Sequence, residues 1–413
     1  MEQYSCAKIL WVDLTVGTIE ERNYGEDVMM QYIGGAGLSL KMLWDETTPD
    51  TDPFSPENPL IFMTGPLTGV ARQSSRYIVS GISPLTGILG RAHSGGDWAV
   101  ELRRSGFMGI VIRGQAEKPV YLWINNRKAE IRDAENLWGT DTYEIETLLK
   151  RETDDKASVA AIGPAGERMV RFAAIMNDGK KGRAAARCGL GAVMGAKKLK
   201  AVVVRGTLEI PVYDRAKLKE VTRRAFSSCP VPKADSPIED YIAEMKLSVT
   251  KGHLPVKNWQ EGTFEPAYKF VDDLRNARRG YCRLCPYSDT ESMYNSSGER
   301  HMIWEHWGPA GTNCLISDIE ALQSSFSLCQ RYGMDTISTG GALAFAMECY
   351  EKGLITKNDA GRIELTWGNH RAMVEMVRRI GEREGFGRVL GEGSARAAEA
   401  LGVGDDLVVA VKN

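Results

Sequence analysis

The chain reads as an α+β protein of 413 residues, with a β-rich N-terminal portion (residues 1–210) followed by a mainly α-helical one (residues 211–413). Three observations predict this. Up to about Arg205, apolar residues fall in short, strand-length runs broken by turn residues. From Asp214 onward they recur three and four residues apart, the period of a helix. Composition changes between the two patterns near Ile210–Pro211.

The first strands are Ile9–Leu14 and Ile19–Asn23, joined across Thr-Val-Gly-Thr, a turn in which glycine supplies the backbone freedom. Arg76–Ser80, Gly109–Arg113 and Val120–Ile124 follow, and Lys128–Asp133 returns across Asn125–Asn126. Thr142–Glu152 has helical spacing within this β-rich portion. Beyond it the expected helices are Arg215–Phe226, Ser317–Tyr332, Thr336–Lys352, His370–Glu384 and Gly391–Leu401. Ser317-Asp-Ile-Glu320 has capping-box spacing, and Gly353 and Gly385 stand where C-terminal caps belong. The last residues, Asp406–Asn413 (DLVVAVKN), form a strand-like apolar run that expects a continuation or a partner strand.

Lys+Arg 52 against Asp+Glu 54 leaves a net charge of -2, with no basic tail, which argues against nucleic acid and anionic membrane surfaces as partners. No apolar run approaches the roughly 20 residues needed to span a bilayer, and no signal-peptide pattern opens the chain, so the expected location is the cytoplasm. There, a lone Cys-x-x-Cys reads as a metal or redox motif and not as part of a disulfide framework.

Two stretches suggest a cradle for a bulky anion. In residues 176–204, Gly179, Gly182, Gly189, Gly191 and Gly195 surround Arg183 and Arg187, so open backbone lies beside positive charge. Ser83–Gly96 (SPLTGILGRAHSGG) repeats that chemistry upstream. One large phosphorylated ligand held from several sides accounts for both; the bland alternative is a glycine-rich turn closing a helix onto a sheet. The run Gly189-x-Gly191-x-x-x-Gly195 lacks the spacing and the preceding strand of a dinucleotide fingerprint.

Cys282-Arg-Leu-Cys285-Pro286 aims two sulfurs at one centre, as iron–sulfur and zinc sites require, but two thiolates complete neither, and buried or redox-active thiols are the competing reading. Ile303-Trp-Glu-His-Trp-Gly308 sets Glu305 and His306 between two tryptophans. An apolar wall there would raise a carboxyl pKa and suit a general acid or base, whereas a solvated glutamate beside core tryptophans is the alternative. His93, His253, His301 and His370 show no metal-ligand spacing.

Several ordered segments resemble the tungsten-containing aldehyde ferredoxin oxidoreductase family, which includes benzoyl-coenzyme A reductase-type relatives. They are Gly65-Pro-Leu-Thr-Gly69, Ser83-Pro-Leu-Thr-Gly87, Ser94-Gly-Gly96, Ile162-Gly-Pro-Ala-Gly166, Ala173-Ala-Ile-Met-Asn-Asp-Gly179, Gly191-Ala-Val-Met-Gly195, Pro255-Val-Lys-Asn258 and Asp335-Thr-Ile-Ser-Thr-Gly-Gly341. The resemblance implies a tungsten, or molybdenum, bis-pterin seated on residues 1–210, with Arg76, His93, Ser94, Gly95, Gly96, Arg183, Ala184 and Ala186 lining it. Backbone carbonyls near His93 and Ala184 would hold a magnesium ion at the pterin phosphates. Gln330-Arg-Tyr-Gly-Met334-Asp335 takes the place of a pterin-contacting motif, with Gln330 where the family has an acid.

The resemblance also implies a [4Fe–4S] cluster on Cys282 and Cys285, with Asp289 where the third family cysteine falls, and Glu305 as the active-site glutamate. Relatives continue beyond the point that matches Asn413 into a third domain, so the resemblance implies that a separate polypeptide completes the site, that this sequence is a fragment, or that the protein is a degenerate cofactor-binding relative. The implied function is oxidation of aldehydes to carboxylic acids, with electrons leaving through the cluster to ferredoxin or a ferredoxin-like subunit. A second polypeptide supplying the third domain, or a homo-oligomer, is compatible with this. The alternatives are an acyl- or aromatic-coenzyme A reductase of the same family, and a non-catalytic pterin-binding or assembly subunit.

Overall fold

The computed structural model describes residues 7–228, 237–280, 283–284 and 293–411. Two six-stranded sheets dominate the first half. One comprises β1 (Ala7–Asp13), β2 (Thr18–Tyr24), β3 (Leu60–Thr64), β4 (Tyr77–Ile82), β5 (Leu89–Ser94) and β6 (Gly109–Arg113), in the order β2-β1-β6-β3-β4-β5. The other comprises β7 (Val120–Asn125), β8 (Lys128–Asp133), β9 (Ser158–Ala161), β10 (Ile175–Asn177), β11 (Arg183–Ala185) and β12 (Leu199–Arg205), in the order β11-β10-β9-β12-β7-β8. Each sheet mixes parallel and antiparallel pairs: β1 runs parallel to β6, and β7 to β12.

Strand periodicity explains the layering, because successive side chains point to opposite faces. Leu10, Val12, Leu60 and Phe62 face a core shared with Leu122, Ile124, Val202 and Val204 of the second sheet. Their neighbours Ile9, Trp11, Ile61 and Met63 face the helix Gly35–Glu46 on the outside. The second sheet does the same with the helix Thr142–Glu152, which covers Tyr121, Trp123 and Val203. Central strands buried on both faces therefore read as continuous apolar runs, whereas the edge strand β2 is almost wholly exposed.

The second half is helical. Thr336–Glu351, apolar all round, is its axis, and Ile319–Tyr332, His370–Glu382 and Ser394–Leu401 pack about it. Asp318, not Ser317, caps the helix Ile319–Tyr332, its carboxylate accepting from Ala321 N at 2.8 Å, so the cap stands one residue later than the capping-box spacing suggests. Gly353 follows the helix Thr336–Glu351 in the left-handed region as expected, but Arg383 and not Gly385 is the left-handed cap of His370–Glu382. Among the described residues, the apolar run at the end is also not a strand. Asp405–Leu407 form a single 3₁₀ turn, Leu407 enters the helical core, and its carbonyl accepts from Asn258 Nδ2 at 3.0 Å, which draws the chain off the extended path a ladder needs.

A seam joins the two halves. Residues 163–174 run against residues 330–335: Ala174 N donates to Gly333 O at 2.8 Å, Asp335 N to Phe172 O at 3.0 Å, and Thr142 Oγ1 to Gln330 O at 2.8 Å. Arg331 pairs at 2.9 Å with both Asp141 and Glu299. No helix among the described residues is long and apolar enough to cross a membrane.

Candidate functional site

The strands β5 and β11 are edge strands of different sheets and pack against each other. Asn177, at the end of β10, ties them together from below. Its Oδ1 accepts from Tyr77 OH at 3.0 Å and Ser94 Oγ at 2.6 Å, and its Nδ2 donates to Gly95 O at 2.9 Å. Asp178 follows with φ 62, and its Oδ2 accepts from Asp97 N at 3.0 Å. The Ser94 hydroxyl is therefore committed inward.

On β5 the exposed positions alternate, so Leu89, Arg91 and His93 face outward while Gly90, Ala92 and Ser94 face in. His93 stands opposite Ile78, with Arg76 exposed just before β4. Partial desolvation, then the Arg91 and Arg76 guanidinia, hold the His93 pKa below its ordinary value, so the imidazole is neutral at physiological pH. Arg183 is buried, and Ala184 and Ala186 are half-buried. Arg187 (φ 78) supplies the outward charge, its side chain 58% exposed and 3.4 Å from Asp335 Oδ2.

The glycines of residues 179–195 divide into two groups. A Cβ at Gly189, Gly191 or Gly195 would lie 1.9, 2.5 and 1.9 Å from the carbonyl oxygens of Arg171, Ala174 and Gly166. These three bring the helix Leu190–Ala196 against neighbouring backbone, so for them the packing reading holds and the ligand-cradle reading fails. The cradle loop is the part before them, residues 178–187, where a Cβ on Gly179 or Gly182 would meet side chains instead, 1.8 Å from Glu146 Oε2 and 2.5 Å from Gln330 Oε1.

Across the seam, Asp335 caps the helix Thr336–Glu351 through Ser338 N at 2.8 Å. Gln330 is buried with Oε1 lacking a partner among the described residues, and that oxygen lies 2.5 Å from where a Cβ on Gly182 would stand. Met334 sends its side chain into the helical core and pairs its backbone with Ala173, so it meets the cradle through main chain. Arg300 N donates to Lys180 O at 2.9 Å, which brings the segment leading to Glu305 onto the cradle loop. Glu305 is half-buried, and its carbonyl accepts from Thr336 Oγ1 at 3.1 Å.

The two tryptophans do not flank Glu305 equally: Trp304 is partly exposed and Trp307 packs inside on Phe270. His306 is fully buried, its Nε2 2.8 Å from Ser325 Oγ and 3.1 Å from Leu322 O. Burial pushes its pKa down to about 3, so it stays neutral. A cavity of about 300 Å³ opens beside Arg187, bordered also by Asn258, Trp259, Ser338 and Gly341.

The structure thus brings Arg76, His93–Gly96, Arg183–Ala186, Gln330, Asp335 and Glu305 to the seam or to the sheet edges beside it. Cys282, Cys285 and Asp289 lie outside the described residues. Among the described residues no group of three or more His, Cys, Asp or Glu side chains could hold a metal ion. A cation at the cradle would therefore draw on main-chain oxygens, which the unpaired sides of β5 and β11 offer. Sequence reasoning passed over Asn177, Asp178 and Arg91; the two-residue spacing of Arg91 from His93 on one strand face was the available signal for the last.

Asp178 gives a prediction. Burial, followed by the nearby Asp97 and Glu146 carboxylates, pushes its carboxyl up to about 6. The folded chain then holds this proton more tightly than the unfolded chain, for which an ordinary carboxylate value near 4 applies. Unfolding releases a proton between those values, so stability falls as pH rises from about 4 to about 6 and is level above that. Asp178→Asn is expected to flatten the slope and to stabilise the metal-free chain at pH 7 by on the order of 1–2 kcal/mol. Urea melts at pH 4.5 and 7 measure it, and an unchanged slope would place the titration elsewhere.

Fold and site together define an α+β protein in which two sheet edges, with arginines facing outward, meet a helical half that brings a carboxylate to the seam. The chain belongs to the aldehyde ferredoxin oxidoreductase family and is an oxidoreductase of that type. Residues 9–206 match the family model "Aldehyde ferredoxin oxidoreductase, N-terminal domain", and residues 240–413 match "Aldehyde ferredoxin oxidoreductase, domains 2 & 3". The chain is 42% identical over 406 residues to the tungsten-containing aldehyde ferredoxin oxidoreductase of Pyrococcus abyssi, covering 95% of this chain and 67% of that relative. It is 34% identical to the aliphatic sulfonate oxidoreductase, WOR-like subunit, of Pyrococcus furiosus, covering 95% and 66%. The structure resembles the active-site complex BamBC of benzoyl-coenzyme A reductase bound to 1,5-dienoyl-CoA, with a TM-score of 0.86 and 32% identity over 98% of this chain and 65% of that one. The chain spans about two thirds of the length of these relatives.

Proposed function

We propose that this chain is a subunit of a cytoplasmic tungstopterin enzyme that oxidises aldehydes to carboxylic acids and passes electrons through a [4Fe–4S] cluster to ferredoxin or a ferredoxin-like subunit. The observation that carries the reading is the meeting, at one seam, of the basic cradle around Arg187 with Asp335 and the segment bearing Glu305. The donor set suits the cofactor: outward cations at Arg76, Arg91 and Arg187 for pterin phosphates, and edge-strand carbonyls near His93 and Ala184 for magnesium. When bound, the tungsten, or molybdenum, bis-pterin supplies the two-electron redox chemistry and the cluster the one-electron exit.

The chain's own residues do the rest. Arg187 neutralises phosphate charge, and Asp335, itself held by the helix N-terminus, fixes where that guanidinium lies. Glu305 takes the proton released as water adds to the carbonyl carbon and the aldehyde is oxidised. Anaerobic purification of the native protein with tungsten, molybdenum and pterin analysis, followed by aldehyde-dependent dye reduction, tests this. Pterin with tungsten and aldehyde turnover is expected; reduction of an aromatic coenzyme A thioester instead would favour the reductase branch, and absence of pterin would overturn both.

Cys282 and Cys285, with Asp289, would ligate the cluster. Two sulfurs and one carboxylate leave a position open, so the chain purified without a completing polypeptide is expected to hold little iron. Stable, stoichiometric [4Fe–4S] in that preparation, by absorption and iron analysis, would place the missing ligand within the chain.

A further inference from the structure

We propose that Trp259 is a specificity-determining residue, one wall of the place that receives the apolar, ring-sized carbon body of the substrate aldehyde. This rests on the reading of the chain as an aldehyde oxidoreductase with Glu305 at the reacting end. Trp259 directly follows the segment Pro255-Val-Lys-Asn258.

The backbone that carries it is held in an unfavourable shape. Lys257, Asn258 and Trp259 have φ of 50, 49 and 63, three successive non-glycine residues in the left-handed region. L-residues enter that region singly as a rule, because Cβ crowds the following carbonyl oxygen, and of these three only asparagine tolerates it well. A buried polar network holds the turn. Lys257 N donates to Thr312 O at 3.3 Å, Asn258 N to Asn313 O at 3.1 Å, and Trp259 N to Asn313 Oδ1 at 3.2 Å. Asn258 Nδ2 donates to Glu348 Oε2 at 2.7 Å and Lys257 Nζ lies 3.2 Å from Glu351 Oε1, which fastens the turn to the helix Thr336–Glu351. Asn258, Thr312, Asn313 and Glu348 are all buried, yet the indole they present is 58% exposed. Strain that over-determined packing maintains only to leave a large ring uncovered points to a ligand contact.

That ring borders the cavity of about 300 Å³, together with Leu85, Pro255, Pro309 and Ile337. Two of these walls come from the segments that hold Glu305. Trp304–His306 continue as a π-helical turn, Trp307–Gly311, which brings Pro309 to the cavity, and Thr336, bonded to the Glu305 carbonyl, is followed by Ile337. Arg187 is the one charged side chain on the cavity among the described residues, and it faces Asp335. The remaining named walls are apolar and suit a carbon body, and the indole supplies a flat face for a ring. Aromatic and ring-sized aldehydes are therefore favoured over acetaldehyde.

Calorimetric titration of the natively purified full-length protein with benzoate and with acetate tests the wall. Both anions carry the same carboxylate, so only benzoate reads the ring contact. Benzoate is expected to bind at least about tenfold more tightly than acetate, and Trp259→Ala to weaken benzoate by about tenfold, the factor for one aromatic contact, with acetate unchanged. Trp259→Phe should keep benzoate within about threefold of the native affinity. Trp44, 82% exposed on the helix Gly35–Glu46, is the control, and Trp44→Ala should alter neither ligand.

Equal affinity for the two anions, no benzoate binding, or a loss in Trp259→Ala that is the same for both would overturn the proposal. The underlying reading fails separately. Benzoate selectivity that depends on Trp259 in a protein without aldehyde turnover would leave the wall and remove the activity. Aldehyde turnover in which Trp259→Ala leaves the ratio of kcat/KM for benzaldehyde and acetaldehyde unchanged would do the reverse.

Discussion

Glutamine at position 305 is expected to lower turnover of the assembled enzyme by roughly two to four powers of ten, the usual reach of general acid–base catalysis. Glu305→Gln keeps the shape and hydrogen-bonding capacity of the side chain and removes only the titratable proton. Tungsten and pterin content should hold, since the isosteric amide keeps the side chain's volume and the backbone carbonyl bonded to Thr336 is untouched. The adjacent histidine cannot substitute. His306 diverges from Glu305 by about 100° around the helix axis, is buried against Ser325 and Leu322, and stays neutral with a pKa pushed down to about 3. His306→Gln should therefore cost stability, by roughly 1–2 kcal/mol for a disrupted buried hydrogen bond, and leave the pH profile of turnover unchanged. Near-native turnover of Glu305→Gln, beside an inactive His306→Gln that retains its metal, would reverse the assignment.

Valine at position 96 is expected to abolish pterin retention while the two sheets still form. Gly96 has φ 94, and a Cβ there would stand 1.8 Å from Asp178 Oδ2 and 3.0 Å from Asn177 Nδ2. Those are the groups that knit β5 and Gly95 to the end of β10, so the side chain must push the two edge strands apart. The left-handed backbone alone costs about 1–2 kcal/mol for an L-residue; the collision disrupts the cradle itself. Gly87 is the control. It also has positive φ, 72, but no atom lies within 4 Å of its Cβ position, so Gly87→Ala should pay only the backbone term and retain the cofactor. Pterin released on denaturation, quantified by fluorescence per chain, distinguishes them. Equal retention in Gly96→Val and Gly87→Ala would remove the cradle from this place.

Much of the fold was legible in the chain because its signals are local. Gly109–Arg113, Lys128–Asp133 and Thr142–Glu152 stand at the boundaries that their patterns suggested. Boundaries slipped where side-chain chemistry competes over one or two positions, as at Asp318, whose carboxylate takes the cap from Ser317. The strand expected at the chain's end failed for a different reason. Alternating valines favour an extended run only where a neighbouring edge can accept it, and Leu407 is drawn instead into the helical core.

The site divides along the same line. Arg183, Arg187 and the glycines suggested an anionic ligand through residue type alone, because positive charge and glycine backbone are properties of single residues and short runs, whereas the Asp335 segment entered only through the family resemblance. What residue type could not separate was Gly182, whose Cβ position meets the Gln330 side chain, from Gly189, Gly191 and Gly195, which are packed on carbonyl oxygens, since glycine is used wherever a Cβ lacks room, whichever atoms stand there. Nor could it foresee that Arg183 is buried while Arg187 faces Asp335, that Ser94 turns inward to Asn177, or that His306 is fully buried while Glu305 is half-buried. By itself the sequence determined the α+β architecture and the family. Only the tertiary structure decided which cations face outward and what Asp335 and Thr142 hold, because those depend on contacts between residues more than a hundred positions apart, and no local pattern encodes such a distance.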